Sequence, residues 1–129
     1  MKILRFPLTI DDYQEISVPT AYHVLSCAPA RSTYEMKNSW GGMPTRTHGI
    51  DLWVRVATSD HNTALGIYII GTGNEMMRHP TGGNLDLNFI GTCVMPNMLV
   101  WHVFTGPLKN EMEAEAKSIE DMKNLGKLK

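Results

Sequence analysis

Five histidines, two cysteines and one Gly-x-Gly turn are the residues of this chain whose types carry chemistry. The histidines His23, His48, His61, His79 and His102 are scattered. No two of them stand at a ligand spacing such as His-x-His or His-x-x-x-His, so the spacing points to no metal centre. Asp60-His61 has the types of an orienting acid and a base, but inside Ser-Asp-His-Asn it reads as a solvated turn. His102 lies between Trp101 and Val103 in an apolar run, the setting of a hydrogen-bonded core or interface histidine. Cys27 and Cys93 form no Cys-x-x-Cys motif and are far apart in sequence, so two buried, reduced thiols are expected. There are no paired carboxylates at a working spacing, no nucleophile elbow and no Cys-His arrangement. The chain is therefore expected to be no enzyme, with no catalytic residue and no cofactor.

Gly71-Thr72-Gly73-Asn74 could turn backbone N–H groups toward an anion. A phosphate loop also needs further glycines, a lysine and a following helix, and these are absent, so the plain reading is a strand-end turn requiring positive φ. As a binding rather than a catalytic surface, the candidate contacts are Trp40, Thr72, Gly73, Asn74, Arg78 and His102. Several of the methionines (Met36, Met43, Met76, Met77, Met95, Met98) fall at loops or strand ends, where flexible thioethers make adaptable contacts or fill gaps.

The elements that must position these residues read mostly as strands. Lys2 to Ile10 carries Pro7 and so belongs at a sheet edge, because proline has no N–H for a second neighbour. Tyr13 to Val18 and Tyr22 to Ala28 follow. Ile50 to Thr58 alternates strictly, with Ile50, Leu52, Val54 and Val56 on one face. Ala64 to Ile70 is expected to return beside it as a hairpin. Leu85 to Met95 and Met98 to Thr105 form the clearest hairpin, around Met-Pro-Asn-Met. The polar stretch from Pro29 to Gly49 reads as a long loop anchored by Trp40. After Gly106-Pro107, Asn110 can cap a helix whose residues Met112, Ala116, Ile119, Met122 and Leu125 make a narrow apolar stripe, with Gly126 as its stop. That stripe fits either the chain's own sheet or a second copy in a homo-oligomer.

The expected fold is thus mostly β: one small antiparallel sandwich or barrel-like domain of about seven strands, with a C-terminal α-helix. Residues 1–107 form the β domain, with its long loop at 29–49, and residues 108–129 form the tail. The expected core includes Leu52, Val54, Val56, Ile67, Ile69, Ile90, Val100 and Val103. A length of 129 residues suits one core, and 43% hydrophobic against 19% charged residues argues against disorder. A net charge of −1 offers no field for nonspecific nucleic-acid binding. MKILRFPLTIDD lacks a signal-peptide core, and no apolar run reaches the ~18 residues that span a bilayer.

The blocks LWVRVA (52–57), IYIIGTGN (67–74), FIGT (89–92) and LVWHVF (99–104), in this order, resemble an uncharacterised family of small phage and prophage proteins. Arg5-Phe6-Pro7-Leu8, Asp11-Asp12 and Ser17-Val18-Pro19 match the opening of similar chains. Those chains usually carry His where this one has Asn74, and Gly-Gly where this one has Asn97-Met98. The resemblance implies a viral source and a β fold and transfers no catalytic residue; with no signal-peptide core or membrane-length run, the expected location is the host cytoplasm. The expected function is a phage accessory protein that binds a host macromolecule, a host protein such as a defence component. The alternatives are an oligomeric sponge for a small nucleotide-like ligand and a minor virion component.

Overall fold

The computed structural model describes residues 1–36, 45–58 and 61–127. Trp40, with Gly41, Gly42, Met43 and Asp60, lies outside the described residues. Seven strands and one helix follow in order: β1 Lys2–Leu8, β2 Tyr13–Pro19, β3 Tyr22–Met36, β4 Thr45–Val56, β5 Asn62–Gly71, β6 Asn88–Val94, β7 Val100–Gly106 and α1 Lys109–Lys127. They build two sheets, β1-β4-β3 and β2-β5-β7-β6, with every pairing antiparallel. The fold is mostly β, a sandwich-like pair of sheets with a C-terminal helix. Among the described residues no helix is long and apolar enough to cross a membrane.

The period-two pattern dictates which face of each strand is buried. On β4, Ile50, Leu52, Val54 and Val56 are buried. Leu65, Ile67 and Ile69 of β5 and Val103 of β7 join them in one cluster, with Leu8, Val18, Cys93 and Met95. Ile90 packs at the margin of this cluster, whereas Val100, expected in the core, is half-buried and lies outside it. Pro7, Pro19 and Pro29 all fall on outer strands of the two sheets, where a missing N–H breaks no central ladder.

Three expectations change. First, β4 and β5 are not a hairpin: β4 pairs with β1 and β3, while β5 pairs with β2 and β7 in the other sheet. Both strands carry strong apolar faces, and burying those faces against each other requires the chain to change layers between them. Second, the described residues of the expected loop at 29–49, namely 29–36 and 45–49, are strand. Thr33 pairs with His48 and Met36 with Thr45, beyond a register shift that follows Pro29. The polar residues there bond across the arm: Arg46 Nε donates to Thr33 Oγ1 at 3.0 Å, and Arg46 sits 3.8 Å from Glu35. Gly49 is needed because a Cβ there would lie 2.5 Å from the Leu8 carbonyl oxygen. Third, β6 starts at Asn88 rather than Leu85, because Leu87 turns onto Gly106.

The helix begins one residue before Asn110, with the Leu108 carbonyl accepting the Met112 N–H at 3.1 Å. Side chains satisfy two of its first N–H groups: the Lys109 N–H donates to the Tyr13 hydroxyl at 2.9 Å, and the Glu111 N–H donates to Asn110 Oδ1 at 2.9 Å. The Tyr68 hydroxyl donates to the Pro107 carbonyl at 2.6 Å, and Met112 is buried beside that ring. Along the rest of the stripe Ala116 is half-buried, while Ile119, Met122 and Leu125 are exposed. Gly126 does not stop the helix, which runs to Lys127.

Two tests follow from local geometry. Met98 holds φ of 71°, at the position of a three-residue hairpin loop that favours glycine. Met98→Gly should raise stability by roughly 0.5–1 kcal/mol, read as a higher urea midpoint with an unchanged slope; a lower midpoint contradicts this. Burial, then the hydrogen bond donated to Glu15, pushes the Tyr13 hydroxyl up to about 12. An unfolded tyrosine titrates near ~10, so the folded state holds this proton more tightly. Its contribution is complete below pH ~10 and disappears as pH rises through about 12. Denaturant midpoints should fall across that window, and less steeply in Tyr13→Phe; equal slopes would remove Tyr13 as the cause.

Candidate functional site

The sequence-predicted contacts separate into one hydrogen-bonded group and two turns. The β5–β7 ladder sets Ile70 opposite His102, and the β6–β7 ladder sets Thr92 opposite it. Thr72, just past the end of β5, therefore reaches one ring nitrogen and Thr92 the other. The distances are 2.8 Å from Thr72 Oγ1 to His102 Nε2 and 2.9 Å from Thr92 Oγ1 to Nδ1. Thr92 escaped sequence reading because its partnership depends on strand register. Both ring nitrogens are held by hydroxyls, and among the described residues no carboxylate is hydrogen-bonded to the ring. This arrangement suits recognition better than proton abstraction.

Gly71 to Asn74 forms a tight turn, with the Asn74 N–H donating to the Gly71 carbonyl at 3.1 Å and Gly73 at φ 86°. The turn uses that N–H internally. Arg78 lies farther along, bridged to Asn84, and lines a cleft of about 210 Å³ with Met76, Met77 and Leu85. His79 ties this segment to α1: Nδ1 accepts from the Thr81 N–H at 3.2 Å, so the ring proton sits on Nε2, 3.4 Å from Glu115.

Two features have no counterpart among the predicted contacts. The first is the outer face of the three-stranded sheet. Trp53, on its central strand, pairs with Arg5 and Ser26, and Arg55 pairs with Ile3 and His23. Trp53 is 37% exposed and Ile3 59%. The acid of this face, Asp51, is buried 3.6 Å from Arg5, so the charges left exposed are cationic. A signal was present in the sequence: Trp53 occupies a solvent-side position of the strictest alternation in the chain. The second feature is a cleft of about 540 Å³ lined by Ile10, Arg46, His48, Met95, Leu99 and Trp101 among others. His48 Nδ1 donates to the Ala30 carbonyl at 3.0 Å, which leaves Nε2 as an acceptor in the neutral ring. These residues come from distant segments, and no sequence spacing announces them.

Residues 1–114 match the family described as Domain of unknown function (DUF7352). The chain belongs to the DUF7352 family. No curated protein and no solved structure matches the chain significantly. The DUF7352 match takes in both sheets and ends inside α1, just past Met112. That boundary coincides with packing, since Met112 is the last fully buried side chain of the helix. A chain ending after Ala114 should therefore keep its denaturation midpoint, whereas one ending after Leu108 should lose about 2–4 kcal/mol, because Met112 no longer covers Tyr68. Equal midpoints for the two truncations would show that the docked turn contributes nothing.

Proposed function

We propose that this DUF7352 protein is a phage-encoded accessory protein that acts without catalysis, in the host cytoplasm, by docking an acidic surface of a host protein. The observation that carries the reading is the Trp53 face. A partly exposed tryptophan with Arg5 opposite it and Arg55 two residues along its strand has the composition of an interface hot spot, in which a few Trp, Tyr and Arg side chains supply most of the affinity. With Asp51 buried beneath Arg5, the exposed charge on this face is complementary to an acidic partner and unfavourable for a basic one. The phage-like sequence blocks make a host defence component the expected target. The Thr72-His102-Thr92 group and the 74–84 segment are a separate polar surface, free for a second contact.

Tagged full-length protein should retain a stoichiometric partner from host lysate, more weakly as salt is raised. Trp53→Ala with Arg55→Glu should weaken binding at least ~10-fold, while Thr72→Ala keeps it. Undiminished retention by the double variant puts the interface elsewhere, and absence of any partner across several hosts overturns the reading.

A second reading, a sponge for a small nucleotide-like ligand, is favoured by the 540 Å³ cleft, whose size falls within the range of small-molecule sites. In that reading Trp101 offers a stacking surface, and Arg46 and His48 offer polar contacts. Calorimetry against linear and cyclic nucleotides that gives no heat removes it.

A further inference from the structure

Cys27 and Cys93 are 66 residues apart in sequence, yet their sulfurs lie 3.4 Å apart. Cys27 belongs to β3, an outer strand of the three-stranded sheet, and Cys93 to β6, an outer strand of the four-stranded sheet. Both thiols are free. We propose that this pair is an oxidative modification site, at which hydrogen peroxide converts the two thiols into a disulfide joining the sheets.

Three observations carry the inference. The sulfurs are already in contact, and each cysteine sits on a strand that shares no ladder with the other, so the ångström or so of approach needed to reach a ~2.05 Å bond breaks no hydrogen bond between them. Gly91 makes the approach possible: a Cβ there would lie 2.9 Å from Cys27 Sγ, so the sulfur sits over bare backbone of β6. Both strands also carry a register shift close to the pair, between Val24 and Ser26 and between Phe89 and Gly91, where the backbone gives most easily.

The two thiols are unequal in a way that assigns their roles. Cys27 is half-buried, and the hydrogen bond donated by the Cys93 thiol holds it below the usual thiol range. Cys93 is 1% exposed, and the same hydrogen bond together with burial pushes it up. Cys27 is thus the nucleophile and Cys93 the resolving thiol. The Cys27 thiolate attacks one peroxide oxygen, the O–O bond breaks, and the departing hydroxide takes a proton as water, leaving a sulfenic acid. Cys93 sulfur then attacks the Cys27 sulfur; the S–S bond forms, the S–O bond breaks, and the leaving hydroxide takes the Cys93 proton as a second water. Two electrons pass from the thiols to the peroxide. The reduced pair is the form expected in a cytosol, and the site responds when peroxide rises. This inference is independent of the Trp53 face.

The test treats reduced, purified full-length protein with hydrogen peroxide and counts thiols after denaturation without reductant. Thiols should fall from both to none with loss of about 2 Da and no covalent dimer, and a peptide map should link the Cys27 and Cys93 peptides. The thermal midpoint should rise by roughly 5 °C or more, and dithiothreitol should reverse every change. Cys93→Ser should instead trap a dimedone-reactive sulfenic acid on Cys27, and Cys27→Ser should slow oxidation of Cys93 at least ~10-fold. Two titratable thiols after treatment, over-oxidation of Cys27 without a cross-link, or only intermolecular disulfides would overturn the proposal.

Discussion

The structure depends on the face-to-face burial of β4 against β5. Ile50, Leu52, Val54 and Val56 from one sheet and Leu65, Ile67 and Ile69 from the other are removed from water together. Each fully buried aliphatic side chain of this kind contributes about 1.5–3 kcal/mol relative to exposure. The chain therefore gains more by carrying β4 and β5 into opposite layers than by closing them into the hairpin that their sequence proximity favours. The remaining strands then build outward from these two, β1 and β3 beside β4, β2 and β7 beside β5, and β6 beyond β7.

The second layer of organisation is a pair of tyrosines on the other face of the four-stranded sheet. Tyr13 and Tyr68 are cross-strand partners, and their rings lie 5.1 Å apart. One hydroxyl accepts the first free N–H of α1, and the other donates to the carbonyl of the residue that leads into the helix. The helix is thus fixed by its first turn, and His79 of the 72–87 segment lies 3.4 Å from Glu115 of the helix. The C-terminal turns, with Ile119, Met122 and Leu125 exposed, lie beyond both ties. The DUF7352 match ends at residue 114, close to this division of the helix.

Three surfaces remain after folding, and they differ in chemistry. The outer face of the three-stranded sheet is aromatic and cationic. The cleft lined by Trp101 and His48 is mainly apolar, with a few polar groups. The opposite face of the four-stranded sheet carries the Thr72-His102-Thr92 group among half-exposed apolar residues. The cysteine pair belongs to none of these surfaces; it joins the layers themselves.

Much of the fold was legible in the residues. The alternation of Ile50 to Val56, the apolar run of β5, the Met-Pro-Asn-Met hairpin, the edge position of the Pro7 strand and the helix after Gly106-Pro107 are local patterns, because side-chain direction along a strand or helix follows from backbone period alone. The same patterns could not say that residues 29–36 and 45–49 are strand, since their order comes from cross-strand bonds such as Arg46 to Thr33. Nor could they say which strands share a sheet, because that is decided by which apolar faces are buried against each other. The candidate site divides along the same line. Trp53 was visible as an aromatic residue out of phase with its strand, whereas the Thr92–His102 contact, the cleft and the meeting of Cys27 with Cys93 exist only once strand register and sheet order bring distant segments within a few ångströms.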